Sequence, residues 1–342
     1  MNTNLKISIL VFFISIKSAA QAIIIPIIVD KIPSLAFIMI FTCVQFNLFF
    51  GIWHFILNRS QLLPNRSSMK KIILCGLFSG GMSVMMIYAS SPTRAPIIMQ
   101  LVLVGMAVLP SVLARKILIN RIIVYNNKFI AISLLALIVS IIIASIPFFK
   151  DIHMHNILWS LLYGGGVLCF CFYNVMQEKI MLDTNDYSLS NKITIIFFSK
   201  CIELIFVLAS GFAIEHNQKP IITFYQSIII FLTNWKITVA LEIFVILYMA
   251  AFILFINLNA ISTNYSMMVP TISNPLVMLF FTIFSSFNTG LHYPLWITIV
   301  SMATSIFGMV MWMFGEKNTD PNSLSEPAHT YTIVNNDQSY DI

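Results

Sequence analysis

Apolar residues in this chain come in blocks, neither alternating with a period of two nor confined to one helical face. Each block runs for about 20 residues with few charges, the length an α-helix needs to cross a bilayer. The pattern predicts ten spans, at 5–29, 33–57, 70–90, 94–115, 127–149, 155–177, 191–213, 237–259, 264–287 and 294–314. Short polar breaks separate them, as at Asn58–Lys71, Lys116–Lys128 and Glu178–Ser190. The longest break, 214–236, holds the apolar run Ile221–Leu232 between Lys219 and Lys236. At about 12 residues that run is too short to span, so it is expected to lie in the membrane interface.

Composition agrees with the blocks. Of 342 residues, 58% are hydrophobic and 9% charged, with a mean hydropathy of +0.90. A soluble domain of this size needs far more charge on its surface, so the outer surface here is expected to face lipid.

The net charge of +6 is spread over the breaks, which points to membrane topology and away from nucleic acid. With the N-terminus in the cytosol, that side receives 12 Lys and Arg: Lys6, Arg59, Arg66, Lys70, Lys71, Arg115, Lys116, Arg121, Lys128, Lys179, Lys192 and Lys317. The other side receives 5: Lys31, Arg94, Lys150, Lys219 and Lys236. Both termini are therefore expected in the cytosol. The sequons at Asn58, Asn65 and Asn264 then lie on the cytosolic side and carry no glycan.

A competing reading makes residues 1–22 a cleavable signal peptide, with Ile7–Ile16 as its apolar core and Ala20-Gln21-Ala22 as its cleavage site. Apolar character resumes at Ile23–Val29, which favours a full span. After Gly315 the composition turns polar, and 316–342 is expected to be a disordered cytosolic tail. Tyr331-Thr332-Ile333-Val334 in it has the shape of a sorting signal, a pattern short enough to arise by chance.

Ten spans invite a search for two halves. Residues 93–100 can be laid over 263–270, an offset of 170 residues that sets span 4 over span 9, with prolines at Pro110 and Pro275 breaking each. The expected architecture is all-α, a ten-helix domain over 1–315 built as a 5+5 inverted repeat of about 5–149 and 155–314.

Polar side chains inside spans must face a bundle interior or a water-filled cavity. They include Lys17, Gln21, Gln45, Asn47, Gln100, Asn174, Gln177, Lys200, Glu203, Glu242, Asn257, Asn259 and Asn274. Lys17 and Lys200 fall near mid-bilayer, and Glu203 shares a helical face with Lys200. That pair either ties helices together or serves a substrate or proton site. Glu242 lies near a span end, where it can snorkel outward. Gly164-Gly165-Gly166 permits close helix packing. The candidate substrate site is Lys17, Gln100, Asn174, Lys200, Glu203 and Asn274.

Cys43, Cys75, Cys169, Cys171 and Cys201 all lie in apolar stretches without metal-ligand spacing, and are read as small packing residues. His153 and His155 flank a loop and are read as solvated. No HExxH, GxSxG or P-loop is present, so no enzyme, cofactor or metal is expected. The loops leave no room for a nucleotide-binding domain, so transport would draw on a gradient.

Four stretches resemble the chloroquine-resistance-transporter-like family of the drug/metabolite transporter superfamily. They are Ala36–Thr42, Gly76 to Gln100 with Ser90-Ser91-Pro92-Thr93-Arg94, Cys171–Lys179, and Asn257 to Pro275 followed by Phe307-Gly308-Met309-Val310. Two departures stand out. Residues 214–236 lack the cysteines often found between spans 7 and 8, and Val104-Gly105 stands where a proline often follows the span-4 Gln-Leu. The resemblance implies a drug/metabolite transporter fold and export of small, often cationic solutes from acidic vacuoles. The two mid-membrane lysines argue instead for a carboxylate-bearing solute.

The first expectation is thus an organellar alternating-access carrier of small organic solutes such as amino acids, peptides or amphipathic drugs, with protons as a candidate coupling ion. The lipid bilayer is its other partner, and neither nucleic acid nor an obligate protein partner is implied. Alternatives are a sugar-nucleotide or organic-phosphate carrier, for which Lys17 and Lys200 would hold phosphate, and a non-transporting scaffold or receptor-like protein.

Overall fold

The computed structural model describes residues 3–58, 63–91, 94–95, 97–119, 127–146, 154–214, 220–261, 263–284 and 295–315. The tail with Tyr331-Thr332-Ile333-Val334, the loop with His153, and Thr93, Lys150 and Lys219 lie outside them. Among the described residues the chain is helical, with no strand. The helices are α1 (Thr3–Lys31), α2 (Leu35–Leu57), α3 (Arg66–Ala89), α4 (Ile97–Gly105), α5 (Val108–Ile119) and α6 (Asn127–Ser145). They continue as α7 (Met154–Thr184), α8 (Leu189–Ile214), α9 (Pro220–Thr233), α10 (Trp235–Asn259), α11 (Thr263–Ile283) and α12 (Leu295–Gly315).

Seven helical stretches are long and apolar enough to cross a membrane: those of α1, α2, α3, the α4–α5 pair, α7, α8 and α10. The described apolar stretches of α6 and α12, Lys128–Ile143 and Ile299–Trp312, are shorter. Large apolar side chains such as Leu48, Leu161, Ile205 and Ile246 are exposed on the outside of the bundle. A multi-pass membrane protein accounts for both features.

Spans 4 and 9, each expected to break at a proline, behave differently. Pro110 has no N–H for the Met106 carbonyl, and its ring crowds that carbonyl, so the helix breaks one turn upstream between α4 and α5. Leu109 N donates to Met106 O at 3.0 Å, and the ladder resumes with Ser111 N to Ala107 O at 3.1 Å. The Cys171 thiol also donates to Ala107 O at the break, at 3.2 Å. By contrast α11 runs unbroken through Pro270 and Pro275, so the break expected at Pro275 does not occur. Ser273 Oγ there donates back to Pro270 O at 3.1 Å.

The expected break starting at Glu178 is also corrected. Helix α7 continues through it to Thr184, because Glu178 is held by partners inside the bundle, as described below. The run at 221–232 is the helix α9, laid against the end where α1 turns into α2. Ser34 N donates to Ser227 Oγ at 2.9 Å, and Phe231 packs on Phe41 at 4.8 Å between ring centroids.

Helix pairing is long-range. α1 packs on α10 and α11, α2 on α8, and α3 on both α7 and α8. α7 packs on α4 and α5, α11 on α4, and α6 on α12. Serines lace the α6–α12 pair. Ser133 Oγ donates to Gly308 O at 2.5 Å, and Ser140 Oγ meets Ser301 O at 2.8 Å and Ser305 Oγ at 2.6 Å.

Candidate functional site

Close approach of α3 and α8 builds the charged centre of the bundle. Gly76 and Gly80, one turn apart on α3, face α8: a Cβ on Gly76 would lie 2.7 Å from Ser199 O, and one on Gly80 2.8 Å from the Phe206 ring. With no side chain between the backbones, the hydroxyls on the same α3 face reach the carboxylate of α8. Ser79 Oγ donates to Glu203 Oε2 and Ser83 Oγ to Glu203 Oε1, each at 2.5 Å. Lys200 Nζ pairs with Glu203 Oε2 at 2.5 Å, and the Cys43 thiol approaches Oε1 at 3.6 Å.

Lys200 is fully buried, at 0% exposure. Besides Glu203 and Ser79 its ammonium meets, among the described residues, aromatic faces, with Nζ 3.8 Å from the Phe252 centroid, 5.2 Å from Phe46, 5.7 Å from Tyr248 and 5.8 Å from Tyr173. Ring quadrupoles and a carboxylate together replace its hydration.

Above this centre lies a cavity of about 210 Å³, well beyond the space of a single water. Among the described residues its walls come from α1, α2, α3, α4, α7, α8, α10 and α11, and none from α6 or α12. Most of the lining is aromatic or aliphatic, with Tyr163, Phe170, Tyr248 and Phe252 among it. Glu203 is the one charged side chain among the described lining residues.

Four candidate residues from the sequence, Gln100, Asn174, Glu203 and Asn274, meet at this cavity. Lys17 and Lys200 do not line it. Lys17 is buried on α1 and donates to Gln21 Oε1 one turn on, and Lys200 sits behind Glu203. Neither lysine is among the described lining residues. Glu242 does not snorkel outward: it accepts from Gln45 Nε2 at 2.9 and 3.0 Å, across α2 and α10.

The cavity wall adjoins, through Asn174, a network that the sequence alone does not assemble. Arg115 Nη2 on α5 meets Glu178 Oε1 on α7 at 2.7 Å, and Nε donates to the same oxygen at 3.0 Å. Thr263, first residue of α11, gives Glu178 Oε2 both its N–H, at 3.0 Å, and its hydroxyl, at 2.5 Å. Asn259 Nδ2 donates to Asn174 Oδ1 at 2.7 Å and Gln177 Oε1 at 2.8 Å, and Ser266 Oγ donates to Asn259 Oδ1 at 2.6 Å. Asn174 thus belongs both to the cavity wall and to the network. The sequence places Arg115 at the end of a span and Glu178 at the start of a polar break, yet both are buried.

No protein-family model matches the chain, and no curated protein matches it either.

Proposed function

We propose that the chain is a secondary active transporter that moves small organic solutes across an organellar membrane by alternating access. The observation that carries this reading is the cavity itself: eight helices wall it, polar groups punctuate an apolar lining, and a buried polar network adjoins it through Asn174. A carrier needs a site reached from one side at a time; a scaffold has no use for such a cavity.

The ten-span, 5+5 architecture belongs to the same proposal, with the α4–α5 pair as span 4 and α6, α11 and α12 as spans 5, 9 and 10. Helix pairing supports it. A shift of five spans turns the α3–α7 contact into α10–α1, and the α7 contacts with α4 and α5 into α1–α11. It carries α2–α8, α4–α11 and α6–α12 onto themselves. An inverted repeat has this property, and the resemblance to chloroquine-resistance-transporter-like proteins fits it. The Lys and Arg distribution then sets the Arg115–Glu178 end in the cytosol, with both termini. A phosphate carrier fits less well, since no described lining residue is basic.

Uptake by proteoliposomes containing the purified chain tests the reading. Radiolabelled amino acids, dipeptides and an aromatic amine are offered with and without a pH gradient. Saturable uptake of at least one solute above protein-free liposomes is expected. Absence of flux for every solute, in both orientations of the gradient, would overturn transport.

A further inference from the structure

The side-chain amides left free in the cavity point to a substrate class, given the transport reading above. Glu203 has little to offer a solute: Ser83 and Cys43 occupy Oε1, and Ser79 and Lys200 occupy Oε2. Its charge is balanced from within, and a cation entering the cavity would have to displace an existing partner. Asn174 is likewise engaged, with Nδ2 donating to Phe170 O at 2.8 Å and Oδ1 accepting from Asn259.

Three side-chain amides remain, and each has its orientation fixed by a partner that can play only one role. An ammonium only donates, so Gln21 must give Lys17 its Oε1 and keep Nε2 as a donor. Backbone carbonyls only accept. Gln100 therefore spends Nε2 on Ser90 O and Ala95 O, at 2.9 and 2.7 Å, and keeps Oε1 as an acceptor. Asn274 spends Nδ2 on Leu101 O at 2.5 Å and keeps Oδ1 as an acceptor. Among the described residues none of these three remaining atoms has a protein partner, and all three side chains line the cavity. Gln100 and Asn274 are neighbours, because Asn274 is tied to the residue that follows Gln100.

We propose that the cavity takes a small, net-uncharged solute with a carboxamide-like polar head on an aromatic or aliphatic body. Its N–H groups donate to Gln100 Oε1 and Asn274 Oδ1, and its carbonyl accepts from Gln21 Nε2. The body lies against rings such as Phe170, Phe252 and Phe255. Among the lining amides, two acceptors and one donor beside an internally neutralised carboxylate match an uncharged amide. An ammonium lacks an acceptor for Gln21, and a carboxylate lacks a donor for Gln100 and Asn274. An ammonium would also enter a low-dielectric space whose one described charged wall group, Glu203, is already paired.

A matched series on one skeleton tests this, using the full chain in lipid nanodiscs at pH 7. Phenylacetamide, phenethylamine and phenylacetate are titrated calorimetrically. Phenylacetamide is expected to bind at least tenfold more tightly than either ion, and Gln100→Leu and Asn274→Leu each to weaken it at least fivefold. Phenethylamine or phenylacetate binding as tightly as the amide, binding by none of the three, or an amide affinity untouched by both variants would overturn the assignment. The wild-type series needs no variant to fold. Amide binding without flux in liposomes would keep this inference and sink transport, whereas flux of ions in preference to amides would do the reverse.

Discussion

Arg115 and Glu178, 63 positions apart in the chain, meet at 2.7 Å with almost no exposure to solvent. A buried pair of this kind gains less from its own attraction than it loses when one member is taken away, because the survivor stays buried and uncompensated.

Arg115→Met is therefore expected to destabilise the purified protein by about 3–5 kcal/mol. Arg115→Met combined with Glu178→Gln should recover at least half of that loss, since the amide oxygen still accepts from Thr263. Thermal unfolding in detergent, monitored by circular dichroism, compares the two. A double variant no more stable than the single one would show that the pair is not the main tie at this end.

The Lys200–Glu203 pair should separate stability from activity. Lys200→Met leaves Glu203 with only Ser79, Ser83 and Cys43 as partners, at a cost of about 3–5 kcal/mol. Adding Glu203→Gln should restore most of the melting temperature while uptake in proteoliposomes stays low. Full transport by either variant would make the pair purely structural.

Glycine positions divide sharply. At Gly76 a new Cβ would come within 2.6 Å of Ile202 Cβ and 2.7 Å of Ser199 O, whereas at Gly164 the nearest atom is Leu103 Cδ2 at 3.7 Å. Gly76→Ala is expected to cost about 1–3 kcal/mol by forcing α3 from α8. Gly164→Ala should be neutral, or stabilising by about 0.5–1 kcal/mol through reduced backbone freedom. Equal effects of the two changes in thermal unfolding would contradict the close α3–α8 approach.

Sidedness can be read with a membrane-impermeant maleimide on intact cells expressing the chain with single added cysteines. Asp183→Cys, beside Lys71 at the Arg115–Glu178 end, should label only after the cell is opened to the cytosol. Tyr225→Cys on the exposed face of α9 should stay unlabelled when only the cytosolic face is reachable. The opposite result would invert the orientation drawn from the Lys and Arg distribution.

The sequence exposed the helices because a bilayer imposes a length on apolar runs, and that length is visible without knowing any contact. It also exposed Lys200 with Glu203, three residues apart on one face. Side-chain direction was hidden. Lys17 and Lys200 look equivalent to Gln100 and Asn274 by depth, yet the lysines turn to internal partners and the amides to the cavity. Arg115 and Glu178 escaped notice because a charge at a span end ordinarily meets water, and nothing local announces a partner 63 residues away. Ser79 and Ser83 were passed over because serine in a membrane helix commonly bonds its own backbone. The signal available was their register with Gly76 and Gly80, a stripe of small residues on one face of α3.

The serine-laced pair α6 and α12 stands outside every wall of the cavity while remaining bound to α4 and α11. Such a strut gives the molecule a fixed frame of reference. Spectroscopic labels on the outward faces of α6 and α12, at Leu135 and Phe307, both exposed, should keep a constant separation through a working cycle. Distances measured from either label to a third on α3 or α7 would then record the opening of the site alone.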